Sequence, residues 1–146
     1  MRPLRFLLPL LVLLAVPATA TADSGPGFTV PSRNTTCGLL HGEQAASGRG
    51  LYCYSSYLTT GATYDGVGVV KLGRDGKARR VGAGNDLLLY IGGYTDDDTP
   101  RAPRPVLAYG ERFERRGYTC TSRRTGLTCK RGAHGFFLSR ERQRLF

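Results

Sequence analysis

Four cysteines are the residues most able to do chemistry in this sequence, either as metal ligands or as disulfides: Cys37, Cys53, Cys120 and Cys129. A zinc site is one possibility, but 15 residues separate the first two cysteines and 8 separate the last two, which matches no C-x2-C pattern. Neither histidine lies at a ligand spacing from them. An even number of cysteines favours disulfide bonds when a chain is exported, which the signal-peptide pattern of residues 1–22 predicts here. We predict the pairs Cys37–Cys53 and Cys120–Cys129, because each pair can close a local hairpin.

The other polar residues make a weak case for catalysis or for a metal site. Ser139, His134 and an aspartate could form a hydrolase triad, but no G-x-S-x-G motif surrounds the serine. Asp96, Asp97 and Asp98 are adjacent, whereas calcium loops place their oxygen ligands at alternating positions. The sequence contains no glycine-rich phosphate-binding motif. We therefore predict no catalytic residue, no metal and no cofactor.

Positive charge is concentrated at the C-terminal end of the chain. The formal net charge is +10, and residues 101–146 contain twelve basic and three acidic side chains. Such a surface can bind polyanions, although it can also simply keep an exported domain soluble. The predicted binding residues surround a C-terminal hairpin: Arg115, Arg116, Tyr118, Arg123, Arg124 and Arg131. Their expected partner is an anionic polymer or an acidic protein, and no nucleic acid is expected.

The N-terminal residues have the pattern of a cleavable signal peptide. Arg2 and Arg5 precede an apolar run over residues 6–16, and small residues then form A-x-A sites that end at Ala20 and Ala22. The run of 11 residues is short for a bilayer span, which needs about 20. We predict a signal peptide over residues 1–22 and one secreted domain over residues 23–146. The mature chain is expected to have no membrane span and no lipid attachment, and the pattern leaves its oligomeric state open.

The segments that follow predict an all-β or β-rich domain, either a small antiparallel barrel or a sandwich. Short apolar stretches alternate with turns rich in glycine and proline. The predicted strands cover residues 28–30, 35–37, 51–54, 67–72, 78–81, 87–91, 106–109 and 136–138. Residues 87–91 are continuously apolar, which predicts a central strand buried on both faces. Ser139 could cap a short C-terminal helix that ends near Leu145.

The two predicted disulfide hairpins share a short sequence pattern. Residues 36–53 and 119–129 each contain T-C, a connection and then G-L-x-C. In the second hairpin, the register that opposes the two cysteines also opposes Ser122 to Leu127 and leaves Arg124 and Thr125 at the tip. The pattern predicts two β-hairpins, each joined across its strands by a disulfide.

Several segments carry a resemblance to a known family. They are FTVPSRNTTC at 28–37, LYC at 51–53, LAYG at 107–110 and GYTCTSRRTGLTCKRGAHGFFLSR at 117–140. With these segments the chain resembles a family of small exported actinobacterial proteins that is known only as a domain of unknown function. Many members of that family have glycine at the position of Arg33 and a further central cysteine pair, which this chain lacks. The resemblance implies export, one domain and paired cysteines, and it implies no activity.

Three functions are compatible with these observations. The first is a non-catalytic secreted binding domain with a basic C-terminal face for an anionic partner in the cell envelope or the extracellular space. The second is a small secreted hydrolase built around His134 and Ser139. The third is a secreted inhibitor or toxin that contacts another protein through residues 92–105. The charge distribution favours the first.

Overall fold

The computed structural model describes residues 27–41, 48–58, 67–82, 84–93 and 103–146. These residues form two antiparallel sheets of five strands each and one short helix. The predicted signal peptide and the three adjacent aspartates lie outside the described residues. None of the helices in the described part of the chain combines the length and the apolar character that crossing a membrane requires.

The N-terminal sheet is a meander in which neighbouring strands follow each other along the chain, in the order β1-β2-β3-β4-β5. Its strands are β1 (Gly27–Thr29), β2 (Thr35–Leu40), β3 (Gly50–Ser55), β4 (Gly68–Gly73) and β5 (Ala78–Val81). Between β1 and β2, Arg33 adopts a φ of 57°, a left-handed conformation that favours glycine.

The C-terminal sheet is a second meander, in the order β10-β9-β8-β7-β6. Its strands are β6 (Arg112–Arg115), β7 (Tyr118–Arg123), β8 (Gly126–Arg131), β9 (His134–Leu138) and β10 (Gln143–Leu145). In the β7–β8 hairpin, Ser122 pairs with Leu127 and Arg123 pairs with Gly126, as predicted. The β-rich fold class is confirmed, and the two open sheets form a sandwich rather than a closed barrel.

The two sheets share one core, at whose centre the two predicted disulfides lie. Both pairs are confirmed, and all four cysteines are fully buried. The sulfur atoms of Cys37, Cys53 and Cys129 lie within 4.8 Å of one another, so the two bridges are packed against each other across the sandwich. The hairpin pattern repeated in the sequence is therefore repeated in the structure, and the two copies meet face to face.

The prediction of a central strand at residues 87–91 is wrong, because this segment lies in the helix α1 (Asn85–Gly92). A short apolar run does not by itself distinguish a buried strand from a buried helix. Three consecutive leucines favour the helix, because leucine has high helix propensity and is not β-branched. The helix ends at Gly93, whose φ of 99° provides a left-handed cap, and α1 covers the outer face of β2 and β3.

Arg104 closes the C-terminal end of α1. Its Nε donates to the carbonyl of Ile91 at 2.9 Å, and its Nη2 donates to the carbonyl of Tyr90 at 3.1 Å. The guanidinium also lies against Gly38 of β2, where a Cβ atom would be 3.1 Å from its Nη2. A cation at this position satisfies the last carbonyls of the helix and is stabilised by the helix dipole.

The predicted C-terminal helix is also wrong, because its last residues form β10. Ser139 does form a local turn, in which its Oγ accepts from the backbone N–H of Arg142 at 3.1 Å. That turn returns the chain antiparallel to β9, so that Gln143 pairs with Leu138 and Arg144 pairs with Phe137. The strand predicted at 106–109 is likewise reduced to a single parallel bridge between Val106 and Thr29.

Candidate functional site

The structure divides the predicted binding residues between the two ends of the C-terminal sheet. Arg115, Arg116, Tyr118 and Arg131 lie at the end where β7 begins, and Arg123 and Arg124 lie at the tip of the β7–β8 hairpin. β7 has six residues, so the two groups are separated by about 17 Å at the usual rise of a strand. They do not form one patch.

Arg131, at the end of the sheet where β7 begins, holds neighbouring parts of the fold together. Its Nε donates to the carbonyl of Arg74 at 2.9 Å, and its Nη1 donates to the carbonyl of Arg116 at 2.6 Å. Its guanidinium carbon lies 4.6 Å from the centre of the Tyr118 ring, a cation–π contact. Arg131 therefore joins the turn between β4 and β5 to the turn between β6 and β7.

Tyr118 is only 3% exposed, and its hydroxyl has no hydrogen-bond partner among the described residues. Burial raises the pKa of Tyr118, while the positive charge of Arg131 acts in the opposite direction. The hydroxyl is thus a protonated donor at neutral pH. A buried hydroxyl without a hydrogen-bond partner costs free energy of folding unless a ligand supplies that partner.

The other end of the sandwich contains a cavity of about 450 Å3 between the two sheets. We call it the tip cavity, and it is lined by Ser122, Arg123, Arg124, Tyr109 and Arg140, among others. Ser122 is 1% exposed, and its Oγ has no hydrogen-bond partner among the described residues. The Arg124 guanidinium carbon lies 5.2 Å from the centre of the Tyr109 ring. The tip cavity combines cations, the carboxylate of Glu141, two tyrosine rings and a buried hydroxyl.

A broad basic surface lies on the side of the C-terminal sheet that faces away from the core. Alternation along β7 and β8 points Cys120, Ser122, Leu127 and Cys129 inwards and the intervening side chains outwards. We call this surface the outer face, and it consists of Arg112, Glu114, Thr119, Thr121, Arg123, Thr128, Lys130, Phe137, Arg142, Arg144 and Phe146. These described residues provide five cations and one carboxylate.

Two aromatic rings hold the long basic side chains on the outer face. The guanidinium carbon of Arg142 lies 5.2 Å from the centre of the Phe137 ring. Arg144 lies 5.1 Å and the Nζ of Lys130 lies 5.8 Å from the centre of the Phe146 ring. Because each cation stacks on a ring instead of pairing with a carboxylate, its charge stays available to a ligand while its side chain loses some of its freedom.

Glu114 neutralises only one edge of the outer face. It forms an ion pair of 3.2 Å with Arg112, and both side chains are about 60% exposed (62% and 61%). Exposed pairs of this kind are weak and are screened by salt. The remaining cations of the outer face therefore determine the sign of its electrostatic potential.

The hydrolase pair that the sequence allowed is not brought together. His134 and Ser139 lie at opposite ends of β9, five residues apart, which corresponds to about 16 Å along an extended strand. The Oγ of Ser139 is within hydrogen-bond distance of the backbone of Arg142 instead. The three neighbouring sulfur atoms of the core belong to disulfides and do not offer the thiolates that zinc requires.

Sequence reasoning missed several residues of these surfaces. The alternation of Thr119, Thr121 and Arg123 was a readable signal for a strand with one polar face. Nothing in the sequence indicated that Arg142 and Arg144 join the same face, because that depends on the pairing of β10 with β9. Residues 94–102, the central part of the loop proposed for inhibitor contact, lie outside the described residues.

Comparison with known proteins identifies one family. Residues 90–146, which include the end of α1 and all five strands of the C-terminal sheet, match the model of a family of unknown function (DUF6636). The predicted resemblance to a domain of unknown function is confirmed for this part of the chain. No curated protein and no solved structure gives a significant match.

Proposed function

We propose that this chain is a non-catalytic, extracytoplasmic binding domain that holds an anionic polymer on the outer face of its C-terminal sheet. The main support for this proposal is the charge of that face, which has five cations and one carboxylate among the described residues. The predicted arginine face therefore moves from the hairpin ends to the surface between them, and Arg123 belongs to both.

The shape of the outer face suits an extended ligand. Its side chains are exposed or half-buried, whereas α1 covers the outer face of the N-terminal sheet. A shallow groove crosses it between Arg112 and Phe137 and is lined by the hydroxyls of Thr119, Thr121 and Thr128. Cations flanking a row of hydroxyls can bind the charges and the polar backbone of a polymer at the same time.

Two covalent links in the core support a location outside the cytoplasm. Disulfides persist in oxidising compartments and are rare where thiols are kept reduced. Together with the signal-peptide pattern of residues 1–22, they support secretion of a mature chain that begins at Asp23. In that setting the anionic partner is a polymer of the cell envelope or of the extracellular space.

Retention on a dextran sulfate column in a salt gradient tests the proposal. We expect the wild-type protein to elute late and the triple variant Arg123→Glu, Lys130→Glu, Arg144→Glu to elute at much lower salt. The reason is that charge reversal replaces attraction with repulsion, and surface attraction is screened over about 8 Å at physiological ionic strength.

The matched control is the triple variant Arg33→Glu, Lys77→Glu, Arg80→Glu. These three side chains are exposed on the N-terminal half, and the net charge changes by the same amount as in the outer-face variant. The control is expected to elute much closer to the wild type. Equal losses of retention in the two variants would mean that net charge, and not the outer face, governs binding, and the proposal would fail.

A further inference from the structure

A second, smaller cavity lies at the end of the sandwich where Arg131 joins two turns. It has a volume of about 260 Å3, and its polar lining consists of His41, Arg49, Arg74, Arg116, Tyr118 and Arg131. These residues come from the end of β2, the start of β3, the turn after β4, the turn after β6 and the two ends of the β7–β8 hairpin. We call it the turn cavity, and it is separated from the tip cavity by the length of the sheet.

The charge of the turn cavity is unbalanced. Four guanidinium groups line it, and none of its described lining residues is acidic. Asp75, in the neighbouring turn, lies near enough for its charge to act on Tyr118, but its carboxylate pairs with Arg79 at 3.1 Å and accepts from the backbone N–H of Lys77 at 3.2 Å. Like charges that converge on one space repel each other, and an anion placed among them removes that repulsion.

The proton of the buried Tyr118 hydroxyl has no acceptor among the described residues, because the neighbouring guanidinium of Arg131 is itself a donor. The hydroxyl oxygen is one of two buried side-chain polar atoms among the described residues that lack a hydrogen-bond partner, and its residue lines this cavity. Buried polar groups are nearly always satisfied in folded proteins, so an exception calls for an explanation. A ligand that accepts hydrogen bonds provides one.

The backbone conformation at Arg116 also supports a binding site at the turn cavity. Arg116 and Gly117 form the two-residue connection between β6 and β7, and both have positive φ angles, 50° and 83°. This is the requirement of a type I′ turn, for which Asn-Gly is the preferred sequence. An arginine held in a left-handed conformation is disfavoured, and such positions cluster at sites of function.

Arg131 holds this arrangement in place. Its hydrogen bonds to the carbonyls of Arg74 and Arg116 fix the two turns that carry those side chains. Binding groups on fixed turns lose less freedom when a ligand arrives. Arg131 is thus a positioning residue, and Arg49, Arg74, Arg116 and Tyr118 are the groups that can contact the ligand.

From these four observations we infer that the turn cavity binds a single tetrahedral oxyanion, such as a phosphate group. Guanidinium groups donate paired hydrogen bonds that match the oxygen atoms of phosphate, and the Tyr118 hydroxyl donates a further one. The volume accommodates one such group and not a length of polymer. The phosphate could be inorganic phosphate or the terminal phosphate of a larger molecule, and both offer the same chemistry.

Isothermal titration calorimetry of the full mature protein with inorganic phosphate tests this inference, with sodium chloride at equal ionic strength as the reference titration. We expect one phosphate per chain and no corresponding signal from chloride. Parallel titrations with inorganic sulfate and glycerol 3-phosphate distinguish the sources. Sulfate binding supports a site for oxyanions in general, and tighter binding of glycerol 3-phosphate assigns the site to a terminal phosphate.

Two substitutions separate a binding role from a structural one. Arg116→Asn removes a guanidinium but places the preferred residue at the turn, and Tyr118→Phe removes the unsatisfied hydroxyl but keeps the ring under Arg131. Each is expected to weaken phosphate binding by about tenfold or more while the melting temperature stays the same or rises. This opposite effect on affinity and stability is not expected of purely structural residues.

Arg33→Asn is the matched control. Arg33 is also an arginine with a positive φ, it is exposed, and it lies before β2, at the end of that strand opposite the turn cavity. It should leave phosphate affinity unchanged. Phosphate binding no stronger than chloride binding, or wild-type affinity in both Arg116→Asn and Tyr118→Phe, would overturn the inference. The outer-face triple variant should retain phosphate binding, so failure of this inference is distinguishable from failure of the proposed function.

Discussion

Phe28 and Phe113 meet across the two sheets, with their ring centroids 4.9 Å apart. Phe28 pairs with Cys37, and Phe113 pairs with Cys120, so each ring lies beside the disulfide of its own sheet. The same order of phenylalanine, cysteine and cysteine thus crosses three neighbouring strands in both sheets. This shared row joins the two meanders at the centre of the core.

The contact between these rings predicts a large loss of stability when one is removed. Phe28 is 1% exposed, and Phe28→Ala should lower the free energy of unfolding by about 3–5 kcal/mol, because it leaves a cavity between the sheets. Urea unfolding under oxidising conditions measures this loss. Phe137→Ala, which truncates a half-buried ring on the outer face, is the control and should cost clearly less. Similar losses in both variants would contradict the central position of Phe28.

The disulfides predict a distinct chemical state of the protein. Intact mass spectrometry of the exported product should show a chain that begins at Asp23, and thiol titration of the protein unfolded in denaturant without reductant should detect no free thiol. Since all four cysteines are fully buried, reduction should proceed only as fast as the protein unfolds. Rapid reduction of the native protein by a mild reductant would show that the bridges are accessible, contrary to the structure.

Loss of one bridge should weaken the fold without abolishing it. The double variant Cys120→Ala, Cys129→Ala should lower the free energy of unfolding by about 3 kcal/mol, mainly because the unfolded chain regains freedom. The double variant Cys37→Ala, Cys53→Ala is the matched comparison. It removes the bridge that closes the longer loop, with a sequence separation of 16 residues against 9 for Cys120–Cys129. Chemical unfolding of both variants compares the two losses, which should be similar. No loss of stability in either variant would contradict a structural role for the bridges.

Arg104 predicts a local effect at α1. Arg104→Ala removes two hydrogen bonds from a cation to the last carbonyls of the helix and should cost about 1.5–3 kcal/mol. Hydrogen exchange should locate this loss at the amides of α1. Arg140→Ala, at an exposed position, removes the same charge and should change stability by less than about 0.5 kcal/mol. Equal effects of the two substitutions would argue against the cap.

Tyr52 predicts a loss of stability at alkaline pH. Burial is the main cause that raises the pKa of Tyr52 to about 12, and its hydroxyl donates to the carbonyl of Gly48. In the unfolded chain a tyrosine ionises near its ordinary pKa of about 10. The contribution of Tyr52 to stability is therefore complete below pH 10 and should be lost as the pH rises from about 10 to about 12.

Denaturant unfolding at several alkaline pH values measures this dependence. Tyr52→Phe should show a smaller loss of stability over the same interval, because the group that ionises in the unfolded state has been removed. Tyr109→Phe, at a tyrosine that is 42% exposed, is the control for the loss of a phenol hydroxyl. An identical pH dependence in the wild type and Tyr52→Phe would contradict the prediction.

Local sequence patterns predicted the disulfide pairs and the β7–β8 register correctly. The disulfide pairs and the β7–β8 register follow from cysteine spacing within hairpins, where short connections restrict the possible partners. The helix at residues 85–92 was missed, because an apolar run indicates that a segment is buried but does not indicate its backbone conformation. The prediction of a helix after Ser139 failed because the pairing with β9 outweighs a weak local preference.

The sequence predicted which kinds of residue form the candidate sites, but it did not predict where these residues lie on the fold. Basic residues and Tyr118 were recognised from local clustering, but clustering along a strand does not show which face or which end each side chain occupies. Arg49 and Arg74 join Arg116 in the turn cavity from segments far away in the sequence. Only the packing of the two sheets brings these segments together.

By itself, the sequence determined the covalent frame, the strand-rich character and the excess of positive charge, because each depends on residue type or on short spacings. The tertiary structure decided how the two meanders face each other, that α1 covers one sheet, and that the charge separates into a broad face and a small cavity at one end of the sandwich. These features depend on contacts between residues distant along the chain, and such contacts are selected by the joint burial of both sheets rather than by any local pattern.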